Sequence, residues 1–307
     1  MLGYITDPEE EGGLARREVP DPTPSAEEIL VEVRAFAVNR GEVNLLQQRT
    51  KDWQPGQDVS GVIVAGAADG SGPPPGTRVV GAADQAGWSQ RVAVPAYRVA
   101  PIPDAVSFAE AASLPVAGLT ALRALRTGGS LLGRRVLVTG ASGGVGSFAV
   151  QLARIAGAHV TGHVSGPHRV ETVRALGTDG VVTTIDGSVG PFDLIVDGVG
   201  GQVLVDAIRR LAPGGTATGY GMAGGERASL AFNDFRGAPG GRLIGFFIYG
   251  TDIRTFGEDL GLLARLIGDG RLRAHLGSKR DWADVPQVLD MFRQHETTGK
   301  VVFTLGE

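Results

Sequence analysis

Hydrophobic positions follow two different rhythms along the 307 residues. Through the first 110 residues the apolar runs are short and β-rich: Ile29–Phe36, Val59–Val64, Arg78–Ala82 and Ser89–Val94. Pro and Gly punctuate them, most heavily at Gly70–Gly76 (GSGPPPG), which cannot be helical. The spacing predicts a compact antiparallel module. Ser107–Gly128 then turns Ala/Leu-rich, with Ser107 as N-cap and Glu110 three residues on, the pattern of a capping box.

From Arg134 the rhythm becomes strand–helix alternation. Strands are predicted at 135–140, 159–164, 180–184, 192–197, 214–220 and 242–248, and helices at 145–156, 167–176 and 201–211. Such alternation implies βαβ units and a parallel sheet covered on both faces. Helices near 255–268 and 283–294 precede a last strand, Lys300–Leu305, predicted to return to the first module. The expected fold is α/β, a doubly wound parallel sheet plus a β-rich domain. Its expected divisions are 1–115 for the β-rich part, 116–250 for the parallel sheet and 251–307 for the closing helices and strand.

The segment Arg134–Ala153 (RRVLVTGASGGVGSFAVQLA) carries the chemistry. A buried strand feeds a turn of small residues into an amphipathic helix, and Ala141, Gly143 and Gly146 stand at the three places of the dinucleotide fingerprint. Unsatisfied N–H groups and the helix dipole there suit a pyrophosphate. Ser142 is then a phosphate-facing hydroxyl or a plain turn residue. One rival is open on pattern: Gly140-x-Ser142-x-Gly144 also matches a hydrolase nucleophile elbow, with Asp197 and His275 or His295 as partners in chain order. No HGGG-type oxyanion segment accompanies it, and the all-β module before it counts against it.

The second strand's end selects the cofactor. An acid there would accept from an NAD ribose. Residues 162–169 (GHVSGPHR) contain none, and Ser165 with Arg169 favour the 2′-phosphate of NADP(H).

Composition narrows the field further. Forty-eight glycines occur without a G-X-Y period, and there is no cysteine, which excludes disulfides, thiolate nucleophiles and Cys-ligated zinc. A net charge of −4 argues against a nucleic-acid partner. The acidic N-terminus (MLGYITDPEEEGG) and the lack of a long apolar run predict a cytoplasmic protein with no membrane partner.

Taken together, AFAVN (35–39), PGQDVSGVIV (55–64), GTRVVG (76–81), AASLPVAGLTAL (111–122), the glycine turn, FDLIVDGVG (192–200) and GKVV (299–302) resemble the zinc-free, quinone oxidoreductase-like medium-chain dehydrogenases/reductases. The resemblance implies a GroES-like domain, a Rossmann domain and a C-terminal return, with cofactor and substrate in the cleft between them. It implies a homodimer, expected through the Arg242–Ile248 edge, and reduction of a quinone or enone with NADPH. Gly143, Gly144 and Val145 would hold the pyrophosphate, Ser165 and Arg169 the 2′-phosphate, and Gly198 and Val199 the nicotinamide ribose. Asn39 and Thr120 would lie at the nicotinamide end, with Lys300 a further candidate. Phe246, Phe247 and Ile248 either line the cofactor's reactive edge or simply pack an edge strand. Zinc-containing relatives carry Gly-His-Glu where this chain has Gly56-Gln57-Asp58, and a cysteine near Val38–Asn39, so no metal is expected. Asn44 stands where related reductases place a tyrosine. Arg40 either steadies an oxyanion or is a surface residue, and Trp53, Trp88, Phe235 and Tyr249 are candidates for an aromatic pocket or for core. No side chain is assigned a proton-transfer role. A non-catalytic NADPH-binding protein is the alternative.

Overall fold

Alternation in the first third of the chain becomes paired strands in the computed structural model, which describes residues 1–294 and 296–306. The chain divides into two units, Met1–Leu119 with everything from Asp252 onward, and Thr120–Thr251.

In the first unit, β1 (Leu2–Thr6) pairs antiparallel with β2 (Leu14–Glu18). The main sheet is built on β3 (Glu28–Val38), whose inward residues Ile29, Val31, Val33 and Phe36 are at most 3% exposed. It is followed by β4 (Asp58–Ala65), β5 (Arg78–Ala82), β6 (Arg91–Pro95) and β7 (Val99–Pro101). The short helix α1 (Arg40–Leu46) leaves the end of β3, an element the pattern did not announce. Helix α2 (Phe108–Ala112) starts at the expected Ser107–Glu110 box, with the Ser107 Oγ accepting from the Glu110 N–H at 3.2 Å. The predicted single helical stretch is interrupted there. Pro115 lacks an N–H and restricts Leu114, so a new helix, α3 (Pro115–Arg126), begins at the proline.

The second unit contains β8 (Arg135–Val138), α4 (Gly144–Ile155), β9 (His159–His163), α5 (Val170–Arg174), β10 (Gly180–Val182), β11 (Phe192–Asp197), α6 (Gly201–Ile208), β12 (Leu211–Gly219) and β13 (Arg242–Gly245). All six strands are parallel, in the order β10-β9-β8-β11-β12-β13. This is the doubly wound Rossmann arrangement, in which chain direction across the sheet reverses between β8 and β11. The predicted last strand, 242–248, stops early at Gly245: Ile248–Gly250 form a 3-10 turn, and the Phe247 side chain is 69% exposed.

Helices α7 (Phe256–Gly268) and α8 (Val285–Arg293) return to the first unit with β14 (Leu276–Asp281) and β15 (Lys300–Thr304). β15 pairs antiparallel with β3, Val301 opposite Val38 and Thr304 opposite Ala35, so the closing strand completes the first sheet. Phe36 sits between Trp88 and Phe303 at centroid distances of 5.8 and 5.4 Å, which makes Trp88 a core residue rather than a pocket wall.

Candidate active site

Strand β8 is fully buried through Val136–Val138, and its carboxyl end opens into the glycine turn. The Ala141 N–H donates to the His163 carbonyl at 3.0 Å and the Gly143 N–H to the Gly140 carbonyl at 2.9 Å, fixing the turn against β9. α4 then starts with no side-chain cap and no acidic residue in its first turn. Its first N–H groups, at Gly144 and Val145, therefore point out of the helix as donors for an anion. Gly146 is obligatory: a Cβ there would lie 2.2 Å from the Gly140 carbonyl oxygen and 2.8 Å from Ala141 Cα. Only a glycine lets the helix press against the turn.

In the glycine turn, Ser142 is 4% exposed, and its Oγ accepts at 3.3 Å from Nη1 of Arg169, which follows β9. Arg169 Nε donates to His168 Nε2 at 3.2 Å, so serine, arginine and histidine form one polar group. Ser165 beside them is exposed, and no carboxylate occurs from 162 to 169. His163 is 6% exposed and bonds the Thr183 backbone, yet its Nδ1 is buried without a partner. Burial lowers the affinity of this ring for a proton, so Nδ1 is an acceptor awaiting a donor. A glycine cradle that a Cβ would fill, an unpartnered buried acceptor and an arginine–serine pair fit a phosphorylated dinucleotide.

At the reversal point, Thr139 Oγ1 donates to Asp197 Oδ1 at 2.5 Å, while Asp197 Oδ2 accepts the Gly200 N–H at 2.9 Å. The Gly198 N–H reaches Thr139 Oγ1 at 3.2 Å. Asp197 thus caps the loop after β11, and burial pushes its carboxyl above the ordinary range. Among the described residues no imidazole hydrogen-bonds Ser142 or Asp197, and the hydrolase reading's other candidate, His295, lies outside them. Thr120 is buried in this unit at 6% exposure. Tyr249 is half-buried with its ring 5.6 Å from that of Phe247, Phe246 is half-buried, Ile248 is buried, and Phe235 packs on the unit's own core.

The first unit holds a second constellation. Lys300 Nζ donates to Asp58 Oδ2 (2.8 Å), Asn39 Oδ1 (2.7 Å) and the Val38 carbonyl (3.4 Å), which uses all three of its hydrogens. Asn39 Nδ2 donates to Glu42 Oε2 (3.0 Å) and Asp58 Oδ2 (2.9 Å), and Asp58 Oδ1 accepts the Val116 N–H at the start of α3 (2.8 Å). Glu42 also accepts the backbone N–H groups of Asn39 and Gln57, each at 2.8 Å. The structure thus gives the polar side-chain atoms of Asn39 and Lys300 to an internal network, although sequence reasoning had set both beside a cofactor. A zinc ion does not fit this donor set. The Asp58 carboxylate already holds an ammonium, and no group of three or more His, Cys, Asp or Glu is placed to hold a metal among the described residues. Nearby, Arg40 Nη1 donates to the Phe292 carbonyl at 3.2 Å and burial lowers its guanidinium, while Asn44 is exposed. Trp53 is half-buried, with Nε1 on Gln85 Oε1 at 2.9 Å.

Residues 25–104 match the family described as alcohol dehydrogenase GroES-like domain, and residues 144–265 the one described as zinc-binding dehydrogenase. The spectinabilin polyketide synthase system protein NorB of Streptomyces orinoci is 32% identical over 290 residues, covering 91% of this chain and 13% of that protein. A chloroplast envelope quinone oxidoreductase homolog of Arabidopsis thaliana is 37% identical over 186 residues, 55% of this chain and 56% of its own. The chain therefore spans little more than half the length of the second and far less of the first. A mycobacterial protein solved in complex with NADPH superposes with a TM-score of 0.86 at 25% identity, covering 99% of both chains. A Rossmann sheet joined to a GroES-like domain and carrying a glycine cradle defines the class of the medium-chain oxidoreductases. The chain belongs to the medium-chain dehydrogenase/reductase family and is quinone oxidoreductase-like.

Proposed function

We propose that the protein is a reductase that uses NADPH to reduce a quinone or an α,β-unsaturated carbonyl compound without a metal ion. The observation that carries this reading is the Arg169–Ser142 pair, which joins the segment after β9 to the glycine turn, together with the lack of any carboxylate in residues 162–169. A forked guanidinium and a hydroxyl match a phosphate monoester, whereas an acid at this point would repel it. The NADPH complex of the mycobacterial relative and the quinone oxidoreductase names among the relatives support it. The first-turn N–H groups of Gly144 and Val145 would hold the pyrophosphate, and Ser165 would add a hydroxyl at the adenosine end. Gly198 and Val199 would flank the second ribose.

The bound nicotinamide supplies the hydride. On the acceptor, the electron pair displaced by hydride moves to the carbonyl oxygen, and water then supplies the proton. The chain's own task is to fix the cofactor and exclude competing water. We assign a homodimer through the open edge of β13, where Leu243 is 41% exposed. No helix of the described residues is long and apolar enough to cross a membrane.

The test is cofactor oxidation with NADPH and NADH against a panel of quinones and enones. Turnover with NADPH and at least one acceptor is expected. Tight NADPH binding with no hydride transfer to any of them would overturn the reductase in favour of a binding protein.

A further inference from the structure

Tyr220 follows β12 at the carboxyl edge of the Rossmann sheet. Its N–H donates to the Asp197 carbonyl at 2.8 Å, and the N–H groups of Ala223 and Gly224 reach the carbonyls of Gly198 and Val199, each at 2.9 Å. The β11–β12 pairing thus continues past both strand ends as a pair of loops. The phenol folds back onto Gly198. A Cβ on that glycine would lie 2.3 Å from the Tyr220 hydroxyl oxygen and 2.5 Å from the ring carbon bearing it. Gly198 is not among the residues with a left-handed backbone, so the close approach of the phenol, rather than its own conformation, requires glycine.

The ring is half-buried, yet its hydroxyl makes no hydrogen bond to any described residue. Burial first, and the charge of Asp197 second, hold the phenol well above its ordinary range. The group therefore stays O–H, a good hydrogen-bond donor and a poor source of protons. Position says what it would meet. In a sheet of this order a dinucleotide lies across the reversal point, one nucleoside over β8–β9 and the other over β11–β12. The glycine turn touches the second side directly, since a Cβ on Gly140 would sit 3.3 Å from Val199 Cγ2. The arginine and serine claim the phosphorylated adenosine for the β9 side, which leaves the loops at Gly198 and Tyr220 to the other half.

We propose that Tyr220 is a cofactor-binding residue whose hydroxyl, laid against Gly198, donates to the nicotinamide-bearing half of the dinucleotide. This rests on the NADPH reading above. The test is calorimetry on wild type and Tyr220→Phe with two ligands, NADPH and adenosine 2′,5′-bisphosphate, which lacks the second nucleoside. The variant is expected to bind NADPH about three- to tenfold more weakly, as for one neutral hydrogen bond. Its affinity for the bisphosphate and its thermal midpoint without ligand should not move. Unchanged NADPH affinity, or an equal loss for both ligands, would overturn the assignment, as would a lowered ligand-free midpoint. Wild type that binds neither ligand would instead sink the cofactor reading itself.

Discussion

Lys300 Nζ lies 2.8 Å from Asp58 Oδ2, with 3% and 0% of the two side chains exposed. The pair ties β15 to β4, and through the second oxygen of Asp58 to the first turn of α3. Pairing two such charges costs heavy desolvation, so the arrangement gains little over an apolar one, but removing one partner strands the other. Lys300→Met is therefore expected to destabilise the fold by roughly 3–5 kcal/mol. Lys300→Met with Asp58→Leu should recover part of that loss. Urea denaturation of the two variants checks both, and a single variant as stable as wild type would show that the ion pair does not anchor the strand.

Glu42 makes the same network sensitive to pH. Burial first, and the neighbouring Asp58 second, push its carboxyl from 4.5 up to about 8, against the opposing pull of Lys300 and the Asn39 donors. A group with a folded value above its unfolded one binds its proton more tightly when folded. Its contribution is therefore complete below about 4.5, declines as pH rises, and is gone above about 8. Urea midpoints across this window should fall more steeply for wild type than for Glu42→Gln, which carries no titrating proton. Parallel curves would mean that Glu42 is ionised throughout.

The same residues show what a sequence reveals and what it hides. The glycine turn was legible because its requirement is local: Gly140, Ala141 and Gly146 meet within one turn. The returning strand was legible because the parallel sheet was already complete without it. Asn39 and Lys300 were singled out, yet their partners were not, since Asp58 and Lys300 meet only when the last strand pairs with β3. Glu42 had a usable signal, the Asn39-x-x-Glu42 spacing of a helix start. It went unread because α1 is too short for an apolar period to announce it. Tyr220 left none, as only tertiary structure lays its ring on Gly198.

Gly146→Ala separates the cradle from the fold around it. The added methyl would meet two backbone groups, the Gly140 carbonyl and Ala141 Cα, neither of which can swing aside as a side-chain tip could. The helix start must move away from the turn, and its N–H groups move with it. We expect destabilisation of about 1–3 kcal/mol and loss of NADPH affinity beyond it, measured by thermal shift with and without cofactor. A variant that melts earlier yet gains as much from NADPH as wild type would place the pyrophosphate elsewhere.

Arg169→Ala tests which coenzyme the β9 end is built for. The guanidinium bonds Ser142 Oγ at 3.3 Å and His168 Nε2 at 3.2 Å, which holds it against the glycine turn. A 2′-phosphate there would gain charge-assisted hydrogen bonds worth about 1.5–3 kcal/mol. NADH has only a hydroxyl at that position and gains little from the cation. The variant should therefore raise the KM for NADPH by roughly tenfold to a hundredfold, while the KM for NADH changes by a small factor. Salt sharpens the comparison: high ionic strength should narrow the wild-type preference by screening this half-buried contact and leave the variant nearly unaffected. Equal losses for both coenzymes would move Arg169 out of the phosphate site and make it a support for the loop.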